Sequence, residues 1–203
     1  MRTLTLLAVV FALLFETASH LTLAQNSAAH SSELPHFTQD GKLKFPANYR
    51  EWIYLSSGLN MSYAPRVAGM AGHDMFDNVF VNPPAYKAFL ETGTWPDQTM
   101  LVLEVRGAGS NASVNKSGHF QDSDVMGREV HIKDNRIPGG WAFYGFEETK
   151  PTTPFPHEMD CYTCHEKNGA VDTTFVQFYP TLIKLAEQKG TLSANYKSEE
   201  AKK

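Results

Sequence analysis

The chain's only two cysteines lie in one pentapeptide, Cys161-Tyr162-Thr163-Cys164-His165. Two thiols with a two-residue spacer, followed at once by an imidazole, can serve four chemistries. A disulfide between them would close a tiny loop, remove almost no chain entropy, and leave His165 without a role. A thioredoxin-like dithiol needs the pair at the head of a helix behind a buried strand. Here the approach from Pro151 to Met159 carries no buried-strand signal. A structural zinc site needs four ligands, and only three are local. The fourth chemistry uses all three residues. Each thiol adds to a haem vinyl group and becomes a thioether, and the adjacent histidine reaches the iron from the proximal side. The pentapeptide is therefore read as the attachment site of one covalent haem c. Cys161 and Cys164 are the thioether positions, and His165 is the proximal iron ligand.

What fills the sixth position decides what such an iron can do. Electron-transfer cytochromes close it with Met or His. No Met follows Met159 and no His follows His165, so a sixth ligand must come from upstream. The donors there are Met70, Met75, Met100, Met126, His73, His119 and His131. Each reads more simply as a core or surface residue. The expectation is an open iron able to take NO, CO, hydroxylamine or peroxide. The alternative is a six-coordinate electron-transfer cytochrome closed by a residue such as Met70 or Met75. Glu104, beside Arg106 on one strand face, and Glu147, at the end of an aromatic strand, are the candidate distal acid or base. The plain reading of both is strand-end charge. Phe76, Phe80, Phe89, Phe120, Trp141, Phe143, Tyr144 and Phe146 are core by default, with one or two available to wall the distal side.

These residues need a scaffold and a compartment. Residues 1–24 read as a signal peptide: Arg2, an apolar run from Leu4 to Phe15, and small residues before a cleavage point after Ala24. An uncleaved anchor is the competing reading. No later segment is apolar enough to span a bilayer, so the expected location is the periplasm. Residues 25–42 form a lead-in, 43–190 the haem domain, and 191–203 a polar tail. A formal charge of -4 without a basic run excludes a nucleic-acid surface. A chain of 203 residues, 42% of them hydrophobic, suits one core.

Strands are expected over Glu51–Ser56, Phe76–Val81, Thr99–Arg106, Val125–Lys133 and Trp141–Phe146. On the third, Leu101 and Leu103 take one face; Met100, Val102 and Glu104 take the other. A helix should run from the Pro83-Pro84 pair to Gly93. Gly107 to Gly118 reads as a loop. Asp172-Thr173-Thr174 reads as a helix cap, with a second helical part from Pro180 to Gly190 and a frayed end from Thr191. Strands without long crossovers favour an α+β fold, an antiparallel β-sheet with helices packed on it and the haem near the C-terminal helical segment.

Several stretches resemble the cytochrome P-460 family, which includes the cytochromes c′-beta. They are Phe45-Pro46-Ala47-Asn48-Tyr49-Arg50-Glu51-Trp52, Val81-Asn82-Pro83 through Tyr86, Thr92-Gly93-Thr94-Trp95-Pro96-Asp97, and Gly140-Trp141-Ala142-Phe143-Tyr144. Cys161 to His165, with Thr174-Phe175-Val176-Gln177-Phe178-Tyr179-Pro180 after it, is the most specific. The resemblance runs from Phe45 to about Leu185. It implies an antiparallel sheet, a homodimer, and a five-coordinate haem c on Cys161, Cys164 and His165. It further implies a small gaseous or nitrogen-oxide ligand and a redox-partner cytochrome. Members that oxidise hydroxylamine carry a lysine cross-linked to the porphyrin. The candidate segments here read Lys87-Ala88-Phe89-Leu90-Glu91 and Leu101-Val102-Leu103-Glu104, with Leu or Glu where that lysine is expected. Members without the cross-link bind NO.

Overall fold

The computed structural model describes residues 33–62 and 74–203. The expected signal peptide and the donors Met70 and His73 lie outside the described residues. The chain divides into Met1–Leu34 and Pro35–Lys203, and everything below belongs to the second unit.

Five strands form one sheet in chain order, every neighbour antiparallel: β1 Ile53–Leu59, β2 Met75–Val81, β3 Met100–Gly109, β4 Phe120–Lys133 and β5 Trp141–Gly145. The helix between β2 and β3, α1 at Pro83–Thr92, starts on a proline whose missing N–H costs nothing in a first turn. It stops at Gly93, which is left-handed at φ 77°. The C-terminal third supplies α2 Asp160–Asn168, α3 Ile183–Lys189 and α4 Ala194–Glu200. This is the α+β fold the strand pattern implied.

Strand alternation gives the sheet two faces with different cover. One face presents Leu55, Val79, Val81, Leu101, Trp141 and Phe143 to α1 and the C-terminal segments, among them Phe89, Trp95, Leu182 and Ala186. Phe89 and Trp95 pack there with ring centres 4.2 Å apart and planes tilted by 45°. Burying a side chain of that size is worth about 1.5–3 kcal/mol. The other face presents Phe80, Met100, Val102, Val130, Ile132, Tyr144 and Phe146 to Leu43, Phe45, Tyr49 and Trp52.

Three local expectations change. The segment expected as a loop from Gly107 begins as strand, since Ala108 pairs with Gln121 and Gly109 with Phe120. The end expected to fray is the helix α4. Ser193 Oγ accepts the Tyr196 N–H at 3.1 Å, the Ser193 N–H reaches the Ala170 carbonyl at 2.8 Å, and Leu192 and Tyr196 pack on the core. Asp172-Thr173-Thr174 caps no helix. Asp172 and Thr173 are both left-handed, at φ 48° and 61°, inside a tight turn closed by the Val171–Thr174 bridge.

Candidate functional site

Three prolines, Pro151, Pro154 and Pro156, keep the chain extended before α2. The helix then starts at Asp160, an acid suited to the positive end of the dipole. Positions i, i+3 and i+4 share one helix face, which puts Cys161, Cys164 and His165 together. All three line a cleft of about 540 Å³ between α2, the following loop and the first sheet face. Ligand pockets run to roughly 300–1,000 Å³, so the cleft has the size of a cofactor site.

The donor set fits a haem. Both cysteines are free thiols. Burial pushes His165 down to about 4, and the neighbouring His131 adds to this, so the imidazole is neutral at pH 7. Its Nδ1 lies 3.1 Å from the Thr173 carbonyl oxygen. Only an N–H can bond to a carbonyl, so Nδ1 carries the proton and Nε2 keeps the lone pair a metal needs. Among the described residues no group of three His, Cys, Asp or Glu could hold a bare metal ion. The zinc alternative therefore finds no fourth ligand among the described residues.

His165 sits in an aromatic collar. Its ring centre is 4.1 Å from that of Phe175, 4.9 Å from Phe143 and 5.1 Å from His131. The His131 and His165 rings touch edge to face, which leaves no room between them for a porphyrin. His131 thus stands beside the His165 imidazole rather than opposite it across a cofactor.

The facing wall differs from expectation. Of the aromatic residues named from the sequence, only Phe143 lines the cleft; the others there are Phe155, Phe175, Phe178 and Tyr179. From β1 to β3 the wall is Ser56, Gly58, Asp77, Val79, Leu101 and Leu103, with Met61 just beyond β1. Asp77 and Glu129 are acids on this wall that sequence reasoning missed. Burial raises the Asp77 pKa and the Glu129 charge adds to it. Glu129 is lowered by its bond with His131 at 3.4 Å, which outweighs burial. The signal for both was strand alternation: Asp77 shares a face with Val79, and Glu129 with His131.

Neither proposed distal acid reaches the cleft. Glu104 alternates with Leu103 and so lies on the opposite sheet face, fully buried. There it accepts hydrogen bonds from Tyr49 Oη, from Arg50 and from Arg106 Nε at 2.7 Å. Glu147 lies beyond β5, 86% exposed, with Lys150 Nζ at 3.7 Å. Of the other described donors, His131 alone lines the cleft; the rest stand away from it. Met100 is buried in the far-face core, Met126 is exposed, Met75 lies at the start of β2, and His119 pairs with Asp74 at 4.0 Å. Lys87 is exposed on α1.

The tight turn after α2 orients His165. Its two left-handed residues suit a two-residue hairpin, but the second is a β-branched threonine where glycine is usual. Such conformations cost about 1–3 kcal/mol each and persist only when neighbours fix them. Asp172 Oδ2 accepts the Trp95 N–H at 3.0 Å and the Lys133 ammonium at 2.9 Å. Gly169 allows the turn to sit on the helix end: a Cβ there would come within 2.7 Å of both the His165 carbonyl oxygen and the Thr174 nitrogen.

Compared with known proteins, residues 46–176 match the family model described as Cytochrome P460. No curated protein matches the chain.

Proposed function

The chain belongs to the cytochrome P460 family, a family of haem proteins, and on that premise we propose that it is an exported, periplasmic c-type cytochrome whose open iron binds or converts small nitrogen oxides such as NO and hydroxylamine. The observation that carries the reading is the joint exposure of Cys161, Cys164 and a neutral, correctly protonated His165 to one cleft. The haem supplies a metal centre for ligand binding and electron exchange. The chain's residues do the rest. Cys161 and Cys164 fix the group covalently, and His165 donates Nε2 while Thr173 holds its ring. Phe143 and Phe175 pack on that ring and keep water from it. Val79, Leu101 and Leu103 give the facing wall an apolar surface.

No lysine stands among the described residues lining the cleft, which supports a haem without the lysine cross-link. The test is the absorption spectrum of the ferrous protein, exported with the haem-maturation machinery, before and after NO. A high-spin haem c spectrum that changes with NO is expected. A strongly red-shifted Soret band would mean a cross-link and make hydroxylamine oxidation the leading activity. A low-spin spectrum indifferent to NO and CO would refute the open iron.

A second reading, electron transfer by a six-coordinate iron, is favoured by one observation. Met61, not among the donors named from the sequence, lines the same cleft and packs its thioether over Gly58.

A further inference from the structure

Lys133 and Asp172 meet at 2.9 Å although neither lines the cleft. Lys133 ends β4, and its side chain is only 16% exposed. Its ammonium donates to the Trp95 carbonyl at 2.6 Å as well as to Asp172. Asp172 Oδ2 accepts the Trp95 N–H at 3.0 Å. The indole of Trp95 is buried, and its Nε1–H donates to Thr174 Oγ1 at 2.9 Å. That hydroxyl donates onward to the Val171 carbonyl at 2.6 Å. Apart from the bond between Lys133 and the Trp95 carbonyl, which ties the two donors to each other, every bond in the chain ends on the turn Val171–Thr174. The one carbonyl the turn sends to the site is that of Thr173, which accepts from His165 Nδ1.

The turn would not hold this shape by local preference. Both central residues are left-handed, and neither is glycine. A β-branched residue there is an outlier that points to a constraint imposed from outside. Lys133, Asp172 and Trp95 are that constraint, gathered from β4, the turn itself and the loop after α1.

We propose that Lys133, Asp172 and Trp95 act as positioning residues that hold the Thr173 carbonyl against His165 and so tune the proximal ligand. A hydrogen-bonded imidazole is a stronger donor to iron and favours the ferric state. Releasing it weakens the iron–histidine bond and raises the reduction potential. The inference rests on His165 as the iron ligand, but not on an open distal side.

The test compares holoprotein variants by the ferrous iron–histidine stretch in resonance Raman spectra and by the reduction potential. Asp172→Ala removes the acceptor for both Trp95 and Lys133; the stretch falls in frequency and the potential becomes more positive. Asp172→Asn keeps an acceptor oxygen and stays close to the parent. Asp172→Gly combined with Thr173→Gly restores the parent values, because a Gly-Gly pair takes the left-handed conformation at both central positions without a brace. Should Asp172→Ala fail to fold, Lys133→Met gives a smaller shift in the same direction. Parent values in Asp172→Ala, or no recovery in the double variant, overturn the proposal. Haem staining on a denaturing gel reads the attachment separately, and its absence overturns the site assignment itself. A low-spin parent without the Raman band refutes the open iron alone, and the potential still decides the brace.

Discussion

Glu104→Gln separates the acid's two possible roles, because the substitution removes charge while keeping volume and one acceptor oxygen. Glu104 is fully buried and holds two guanidinium groups, Arg106 with a side chain 17% exposed and Arg50 with one 51% exposed. Removing one partner from a buried ion pair costs about 3–5 kcal/mol, because the other charge stays desolvated. Two features reduce that figure. Arg50 can return to water, where an ion pair is worth only about 0–1 kcal/mol. Arg106 keeps the carbonyls of Asp122 at 3.0 Å and Ser123 at 3.3 Å. The expected loss is about 2–4 kcal/mol in urea unfolding at pH 7. The pH dependence has a definite sign. Burial raises the Glu104 pKa, but the bonds from Arg106 and Tyr49 and the charge of Arg50 outweigh it and leave the carboxyl below its ordinary value. Its stabilisation is complete above the ordinary glutamate pKa and is lost as pH falls through the lowered one. The gap between parent and variant should therefore close in acid. NO affinity and any hydroxylamine turnover should be unchanged, since Glu104 lies on the sheet face away from the cleft. A variant with parental stability and altered ligand chemistry would refute this placement.

Three further substitutions probe the cleft and the turn beside it. Asp77→Asn should raise the affinity of the ferric protein for azide several-fold while leaving CO affinity alone: among the described residues no cation or hydrogen-bond partner offsets the Asp77 carboxyl, and Glu129 adds a second negative charge. Equal azide titrations in the two proteins would count against a role for that charge. Met61→Leu should leave the ferric spectrum as it is if the iron is open, and convert a low-spin spectrum to high-spin if the thioether is the sixth ligand. Gly169→Ala should cost about 1–3 kcal/mol in urea unfolding, because its new methyl meets backbone rather than a movable side chain; unchanged stability would mean that the turn can shift freely on the end of α2.

Much of the frame was legible because it depends on short-range patterns. The Pro83-Pro84 start and Gly93 stop bracket α1 with no tertiary information. The alternation along Met100–Arg106 predicts which side chains share a face, and that assignment holds. What it leaves open is which face looks at the cleft. The C-terminal segments cover the face of Leu101 and Leu103, while residues around Leu43 and Tyr49 cover that of Glu104. Those contacts join parts of the chain distant in sequence. Thus Glu104, attractive as an acid on the best strand, falls on the wrong side, while Asp77 and Glu129, on less regular strands, fall on the right one. The helix α4 was missed for a related reason. Its sequence is polar, and its order comes from Ser193 and Tyr196 docking on the core.

The alternation on β3 also explains how one strand serves two purposes. Leu103 lines the cleft, and Glu104, one residue on, ties the sheet to Tyr49 and Arg50. A slip of one residue in register would exchange them, placing Glu104 and its strand neighbour Arg106 in the cleft and leucines against Tyr49 and Arg50. Both results are costly: a buried carboxylate without the Tyr49 and Arg50 donors on one side, and the buried Tyr49 hydroxyl facing a leucine on the other. The ion network on the far face therefore specifies register as well as stability, and it does so for the strand whose register decides what the cleft presents. Charge on that far face acts on the site through geometry, which is why a residue that never touches the cleft can still determine that β3 turns Leu101 and Leu103 toward it.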